Sequence, residues 1–137
     1  MLDTNIVIAL LAGEEAVLSN LDRAPEVFIP AIVLGELFFG AAKSGRSLEN
    51  IAKVERFAAD RSILPCDLPV AREYGRLRQH LRAKGRPLPE NDIWIAATAK
   101  YHELVLATRD QHFREVDELQ IAVVSRRDIA FLETLAV

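Results

Sequence analysis

The sequence predicts an α/β fold built around a mostly parallel sheet. Short segments rich in β-branched residues alternate with longer segments of helical periodicity, which is typical of β–α–β units. The chain has 137 residues, half of them hydrophobic, which is enough for one domain with its own apolar core. Its single cysteine, Cys66, excludes an internal disulfide and a cysteine-rich zinc site. We therefore expect a single domain over residues 1–137.

Five segments are predicted as strands because each is short, apolar and separated from the next by a helical pattern or a turn signal. Helical connections of this length favour parallel pairing, since a parallel pair needs a crossover. The predicted strands lie at residues 1–3, 27–29, 62–64, 104–107 and 121–124.

The first three helices are predicted from apolar periodicity and from their boundaries. Segment 5–11 is mostly apolar, which indicates a buried helix. Segment 32–43 follows Pro30, and its two glycines favour close packing rather than high helix propensity. Segment 48–60 follows Ser47, whose hydroxyl is a suitable N-cap.

The remaining helices have clearer end signals. Segment 69–84 follows Asp67, a good N-cap, and stops at Gly85, with a proline just beyond. Segment 91–101 follows a Pro-Leu-Pro turn. Segment 126–137 has apolar residues on one face and is predicted to be a C-terminal helical extension.

Four acidic residues lie beside apolar segments, where a charge is costly unless it is paired or binds a cation. They are Asp3 in LDTNI, Glu36 in LGELFFGA, Asp92 in PENDIWIAATA and Asp110 in ATRDQHF. Sites in open parallel sheets form beyond the carboxyl ends of the strands. Asp3 ends the first predicted strand and Asp110 follows the fourth. We therefore expect the four acids to converge on one edge of the sheet.

Crowded carboxylates repel one another, and an oxygen-only cluster suits Mg²⁺ or Mn²⁺ better than zinc. A bound metal would activate water and neutralise the charge of a phosphodiester. Three polar side chains are placed to orient that water or the phosphate: Thr4, Asn5 and Thr108. The acids also have purely structural explanations. Asp92 would stabilise a helix start, Asp3 would cap the following helix, and Asp110 would belong to a surface turn.

These motifs, in this order, resemble those of the PIN-domain ribonucleases. Within that family, their residues are similar to those of the VapC toxins of bacterial toxin–antitoxin pairs. The resemblance implies a five-stranded parallel sheet, an endoribonuclease dependent on Mg²⁺ or Mn²⁺, a homodimer, and a cognate antitoxin whose C-terminal segment blocks the site. By position, the four acids match the family's acidic quartet and Thr108 its frequent hydroxyl residue. The implied metal ligands are Asp3, Asp92 and Asp110.

The start of the chain departs from the family pattern. Only Met1 and Leu2 precede Asp3, whereas the family has several residues there. A shortened central strand, or a start codon annotated too late, would explain the difference.

Basic residues are concentrated in one predicted helix, although the whole chain has a net charge of −3 and a pI near 5.6. Residues 72–86 contain six basic side chains and one acidic one, a local net charge of +5. The arginines fall on one broad helical face, which would hold the phosphates of RNA. Arg78 and Arg82 are the candidate substrate-binding residues, together with Asn5. The alternative is a solvated face paired with acids on other elements.

Two other functions are compatible with parts of the pattern. A haloacid-dehalogenase-like phosphatase also has an aspartate after its first strand, but it needs a second aspartate where this chain has Asn5. A catalytically silent PIN-fold binding module would act through a protein partner. The apolar run that follows Asn5 ends at Gly13, too short to span a bilayer, so the sequence predicts a cytoplasmic protein without a membrane segment.

Overall fold

Helices and short parallel strands alternate along residues 1–21 and 26–124, which the computed structural model describes. The helices are α1 (Thr4–Leu11), α2 (Glu15–Leu21), α3 (Ala31–Ala42), α4 (Ser47–Ala59), α5 (Leu68–Lys84) and α6 (Glu90–Tyr101). The strands are β1 (Phe28–Pro30), β2 (Ser62–Leu64), β3 (Leu106–Thr108) and β4 (Ile121–Val123), and a 3₁₀ turn covers Gln111–Glu115. The predicted helix at 126–137 lies outside the described residues.

The strands form two parallel pairs. In the first pair β1 lies beside β2, with Ile29 opposite Ile63. In the second pair β3 lies beside β4, with Ala107 opposite Ala122. The expectation of a mostly parallel arrangement is therefore confirmed for the described residues.

The N-terminal segment lies between the two pairs and is hydrogen-bonded to both. The Leu2 amide donates to the Phe28 carbonyl at 3.1 Å, and the Asp3 amide donates to the Ala107 carbonyl at 3.0 Å. Leu2 forms an isolated parallel bridge with Ala107. Within residues 1–21 and 26–124 the expected regular five-stranded sheet is therefore replaced by two strand pairs and a single bridge, because the chain turns into α1 directly after Asp3, the N-cap of that helix.

Helix α6 passes through the interior and explains much of the core. Its side chains from Ile95 to Ala99 are all fully buried, and the alanines among them allow close approach of neighbouring elements. It packs most extensively against α5 and also contacts α3, while α3 packs against α4. Through these contacts α6 fixes the position of its own first turn, which carries Asp92.

All five predicted helices are present within residues 1–21 and 26–124, with boundaries shifted by about one residue. The Asp67 carboxylate caps α5 by accepting from the Val70 amide at 3.3 Å, as expected. The prediction of Ser47 as an N-cap is wrong: Ser47 begins α4, and Arg46 precedes it without a side-chain cap. No helix in the described part of the chain is long and apolar enough to cross a bilayer.

Two elements were not predicted. Helix α2 has only seven residues, too few for a clear periodic signal. The 3₁₀ turn depends on the Asp110 side chain, which accepts from the His112 amide at 2.9 Å. Short elements of this kind are defined by capping and packing rather than by periodicity.

Two glycines of the same helix are expected to respond in opposite ways to alanine. Gly85 ends α5 in the left-handed region with φ of 67°, where a Cβ costs about 1 kcal/mol. Gly75 lies inside α5, and a Cβ there would meet no atom within 4 Å. Gly85→Ala should lower the free energy of unfolding by about 1 kcal/mol, and Gly75→Ala should raise it by about 0.5–1 kcal/mol. Urea denaturation checks both, and a shift of the same sign for the two variants would contradict the assignment.

Candidate active site

Asp3 is the most buried acid of the site, with only 5% of its surface exposed. It ends the N-terminal extended segment and begins α1. Its Oδ1 accepts from the Thr4 amide at 2.7 Å, and its Oδ2 accepts from the Thr108 hydroxyl at 2.6 Å. Both carboxylate oxygens are thus held by hydrogen bonds, one from α1 and one from the end of β3. The predicted capping role and the predicted site role belong to the same side chain.

Thr108 connects Asp3 to the segment that carries Asp110. The Thr108 side chain is fully buried, and its hydroxyl oxygen accepts from the Asp110 amide at 3.0 Å while its proton is donated to Asp3. Asp110 lies at the start of the 3₁₀ turn, and its Oδ1 is 2.9 Å from the ring Nδ1 of His112. The hydroxyl of Thr108 therefore sets the distance between two of the four acids.

Glu36 and Asp92 come from two different helices. Glu36 lies on α3, and the Thr4 hydroxyl donates a hydrogen bond to its Oε2. Asp92 lies in the first turn of α6 and is half-buried. The backbone before α6 is capped by Pro89 without a side-chain hydrogen bond, so Asp92 is not the N-cap of its helix.

The four acids lie close enough together for electrostatic repulsion among them to raise the pKa values of Asp3 and Asp92. Burial raises the pKa of Asp92 to about 6, and repulsion from Asp3, Asp110 and Glu36 adds to the shift, while His112 opposes it. Burial also raises the pKa of Asp3, against the hydrogen bonds from Thr108 and Thr4, and Glu36 and Asp110 raise it further. The convergence expected from topology is what the structure contains.

The donor set fits a hard divalent cation, although the side chains do not form a closed cage. Carboxylate oxygens that raise one another's pKa would be relieved by a cation, and Mg²⁺ prefers such ligands. Within residues 1–21 and 26–124, no three acidic, histidine or cysteine side chains have the arrangement needed to hold a metal ion. Each oxygen of Asp3 accepts one hydrogen bond, which orients the carboxylate and leaves a second lone pair on each oxygen for a cation.

A second set of contacts positions the segment after β3 and was not predicted. The Asn5 side-chain oxygen accepts from the Arg109 amide at 3.1 Å. The Arg109 guanidinium forms an ion pair with Glu14 at 2.7 Å. Asn5, expected to contact substrate, thus uses its oxygen to hold the backbone beside Asp110. The sequence offered no signal for the Glu14 pair, because the two residues are 95 positions apart.

Acidic residues neutralise one part of the basic helix α5, as the alternative expectation had it. Arg78 and Arg82 line a cleft beside the first turn of α6, where Arg78 lies 3.9 Å from the carboxylate of Glu90. Three of the other basic residues form ion pairs: Arg76 with Glu73, Lys84 with Asp117, and Arg86 with Glu115.

The sequence matches known proteins over most of its length. The family model described as PIN domain matches residues 1–119. The chain is 35% identical over 112 residues to "Ribonuclease VapC2" of Haemophilus influenzae, and the match covers 80% of this chain and 85% of that protein.

Solved structures share the fold over similar lengths. A chain in the crystal structure of DNA-bound VapBC from Salmonella typhimurium superposes with a TM-score of 0.84 at 31% identity, covering 89% of this chain and 95% of that chain. A member of the VapBC family of toxin–antitoxin systems from Mycobacterium tuberculosis, VapBC-5, gives a TM-score of 0.62 at 34% identity, covering 69% and 79%.

Asp92→Asn is expected to stabilise the metal-free protein at neutral pH. Folding raises the pKa of Asp92 from 3.8 to about 6, so in this window the folded state holds a proton that the unfolded state has released. Stability is therefore lost as pH rises through that window, and an uncharged asparagine avoids the loss. We expect the free energy of unfolding in EDTA to rise by about 1–2 kcal/mol near pH 7 and to be unchanged below about pH 4.

Urea denaturation at both pH values checks this expectation. Glu55→Gln, the same exchange at an exposed acid of α4, is the control. An equal gain for Asp92→Asn at both pH values would show that repulsion among the carboxylates is not its cause.

Proposed function

Because this chain belongs to the PIN-domain family, we propose that its four converging carboxylates hydrolyse RNA phosphodiester bonds, with the chain acting as the VapC-type endoribonuclease toxin of a toxin–antitoxin pair. One observation carries the proposal. Residues from the start of α1, from α3, from the end of β3 and from the first turn of α6 share one acidic field, in which the pKa of Asp92 rises to about 6. Acids needed only for structure have no reason to lie close enough together to repel one another, whereas carboxylates with raised pKa values are common at functional sites.

Each residue has a role in this proposal. Asp3, Asp92 and Asp110 hold Mg²⁺, for which Mn²⁺ substitutes, and Glu36 completes the acidic set. When bound, the metal supplies charge neutralisation at the phosphate and a lower pKa for attacking water. Thr108 orients the carboxylate of Asp3 through their 2.6 Å hydrogen bond. Thr4 does the same for Glu36, since its hydroxyl donates to that carboxylate.

Protein partners complete the proposal. The VapBC relatives are toxin–antitoxin systems, and this supports a cognate antitoxin whose C-terminal segment covers the acidic site. We also propose a homodimer, since the helices of the α3–α4 pair carry large apolar side chains that solvent reaches. Phe39 is 67% exposed and Leu48 is 85% exposed. The site of action would be the cytoplasm, where RNA substrates are available.

The two alternative functions are the phosphatase and the catalytically silent binding module. The phosphatase reading is wrong, because the family is that of PIN domains and Asn5 binds the Arg109 backbone in place of a second catalytic acid. A catalytically silent binding module is favoured by one observation, that among residues 1–21 and 26–124 no three acidic, histidine or cysteine side chains are arranged to hold a metal ion. Measuring RNA cleavage separates that module from a nuclease.

Antitoxin-free protein should cleave total RNA into discrete fragments in Mg²⁺ or Mn²⁺ and not in EDTA. Asp3→Asn and Asp92→Asn should each lower the cleavage rate by at least about 100-fold, because each removes a charged ligand of the metal. Gel analysis of the fragments and isothermal titration with Mg²⁺ provide the measurements. Asp117→Asn, at an exposed acid paired with Lys84 outside the site, is the matched control and should keep full activity.

Three results separate the possibilities. Cleavage that persists in EDTA would contradict metal dependence. Cleavage that survives in Asp3→Asn and Asp92→Asn would point to a contaminating nuclease. Absence of both cleavage and Mg²⁺ binding in the wild-type protein would favour the silent binding module.

A further inference from the structure

A cleft of about 330 Å³ lies between the last half of α5 and the start of α6. Its volume is within the range of small-ligand pockets. Two arginines come from α5, two side chains come from the first turn of α6, and the turn between the helices supplies the rest. The lining residues are Arg78, Arg82, Pro87, Leu88, Glu90 and Ile93.

The cleft and the acidic site both use the first turn of α6. Glu90 and Ile93 line the cleft, and Asp92, which does not line it, belongs to the acidic site. The two are therefore separated by no more than about one turn along the helix axis, a rise of about 5.4 Å, although they lie on different faces of α6. Because α5 and α6 pack closely, the cleft is held in place by the core.

A stacked network fixes the rim of the cleft. The rings of Tyr74 and Trp94 stack with centroids 3.9 Å apart. The Tyr74 hydroxyl donates to Glu90 Oε1 at 3.0 Å and accepts from the Arg78 guanidinium at 2.8 Å. Arg78 Nη1 is itself 3.9 Å from Glu90. The arginine and the carboxylate are thus pre-positioned, which lowers the entropy lost when a ligand binds.

Arg82 carries a positive charge that no acid in the described part of the chain neutralises. Among residues 1–21 and 26–124 it has no ion-pair partner, whereas Lys84 at the end of α5 and Arg86 just beyond the helix pair with acids. Arg82 is exposed and lines the cleft. A cation left unpaired beside an apolar recess suits a ligand that is anionic at one end and apolar at the other.

We propose that this cleft is a subsite for one unpaired nucleotide of the RNA, next to the bond that is cleaved; the proposal rests on the nuclease function above. The phosphate of that nucleotide binds Arg82 and Arg78. Its base lies on the apolar surface of Pro87, Leu88 and Ile93. Glu90 accepts a hydrogen bond from an N–H on the Watson–Crick edge of the base.

The same geometry selects single strands. A base in a duplex has its Watson–Crick edge occupied and its faces stacked, so it cannot enter the recess without unpairing. Every base carries an N–H donor on that edge. The cleft therefore distinguishes single-stranded RNA from duplex RNA and does not distinguish one base from another.

Binding of fluorescein-labelled RNA to the protein in EDTA, followed by anisotropy, tests the subsite without cleavage. With a single strand of about 12 nucleotides, Arg82→Ala should raise the dissociation constant about 10-fold and reduce the salt slope by about 0.7, the loss of one phosphate contact. Arg72→Ala, at an exposed α5 arginine outside the cleft, should change binding by less than about 3-fold. With Mg²⁺ present, Arg82→Ala should raise the KM for cleavage and leave kcat unchanged.

A second variant tests whether the cleft holds a base or only a phosphate. Leu88→Ala should weaken binding of the single strand about 5-fold and leave binding of inorganic polyphosphate unchanged. Its melting temperature, compared with that of the wild-type protein, controls for misfolding. An equal loss with both probes would show that the apolar surface does not contact a base. Tight binding of a blunt duplex would overturn the selection for single strands.

The failure of the subsite is distinguishable from that of the nuclease. If the wild-type protein cleaves RNA while Arg82→Ala and Arg72→Ala behave alike in binding and in KM, the nuclease stands and the subsite is wrong. If the wild-type protein neither cleaves RNA with Mg²⁺ nor binds it in EDTA, both proposals are wrong.

Discussion

The hydrogen bonds to the carboxylate of Asp3 are the constraint on which the rest of the site depends. One oxygen begins α1 through the Thr4 amide, and the other receives the Thr108 hydroxyl from the end of β3. The same residue donates its amide to Ala107, so it also joins the N-terminal segment to the second strand pair. A single buried acid therefore links helix, sheet and site. Moving it would displace both the core and the other carboxylates of the candidate site.

Placing four acids close together lowers the stability of the folded protein. Burial and mutual repulsion raise the pKa of Asp92 to about 6, which means that at neutral pH its charge opposes folding. The hydrogen bonds to Asp3 and Asp110 offset part of this cost. A divalent cation bound at these carboxylates would recover part of that free energy, and its binding would then be coupled to stability.

The basic side chains of α5 differ in whether acidic residues neutralise them. Near its C-terminus, Asp117 and Glu115 neutralise the basic side chains, and this part of the helix contributes to packing against the segment after β3. Around the cleft, Arg82 keeps its charge while Arg78 is held by Tyr74. Arg82 therefore supplies a local positive charge at the cleft, although the whole chain is acidic. A protein with a negative net charge can bind a polyanion at such a place, because the ligand responds to the electrostatic potential close to it and not to the net charge of the whole chain.

The sequence by itself determined what depends on neighbours along the chain. The Asp67 cap and the left-handed Gly85 set the ends of α5, and each needs only a few adjacent residues to be recognised. The order and context of the acidic motifs likewise predicted which four carboxylates the fold brings together. Tertiary structure alone decided that the N-terminal segment forms one bridge instead of a strand and that Asn5 holds Arg109. It also decided that, among the described residues, Arg86 has an ion-pair partner and Arg82 has none. These features depend on residues far apart in the chain; Thr108 and Asp3 are separated by 105 positions, and no local pattern encodes which distant group will reach a given side chain.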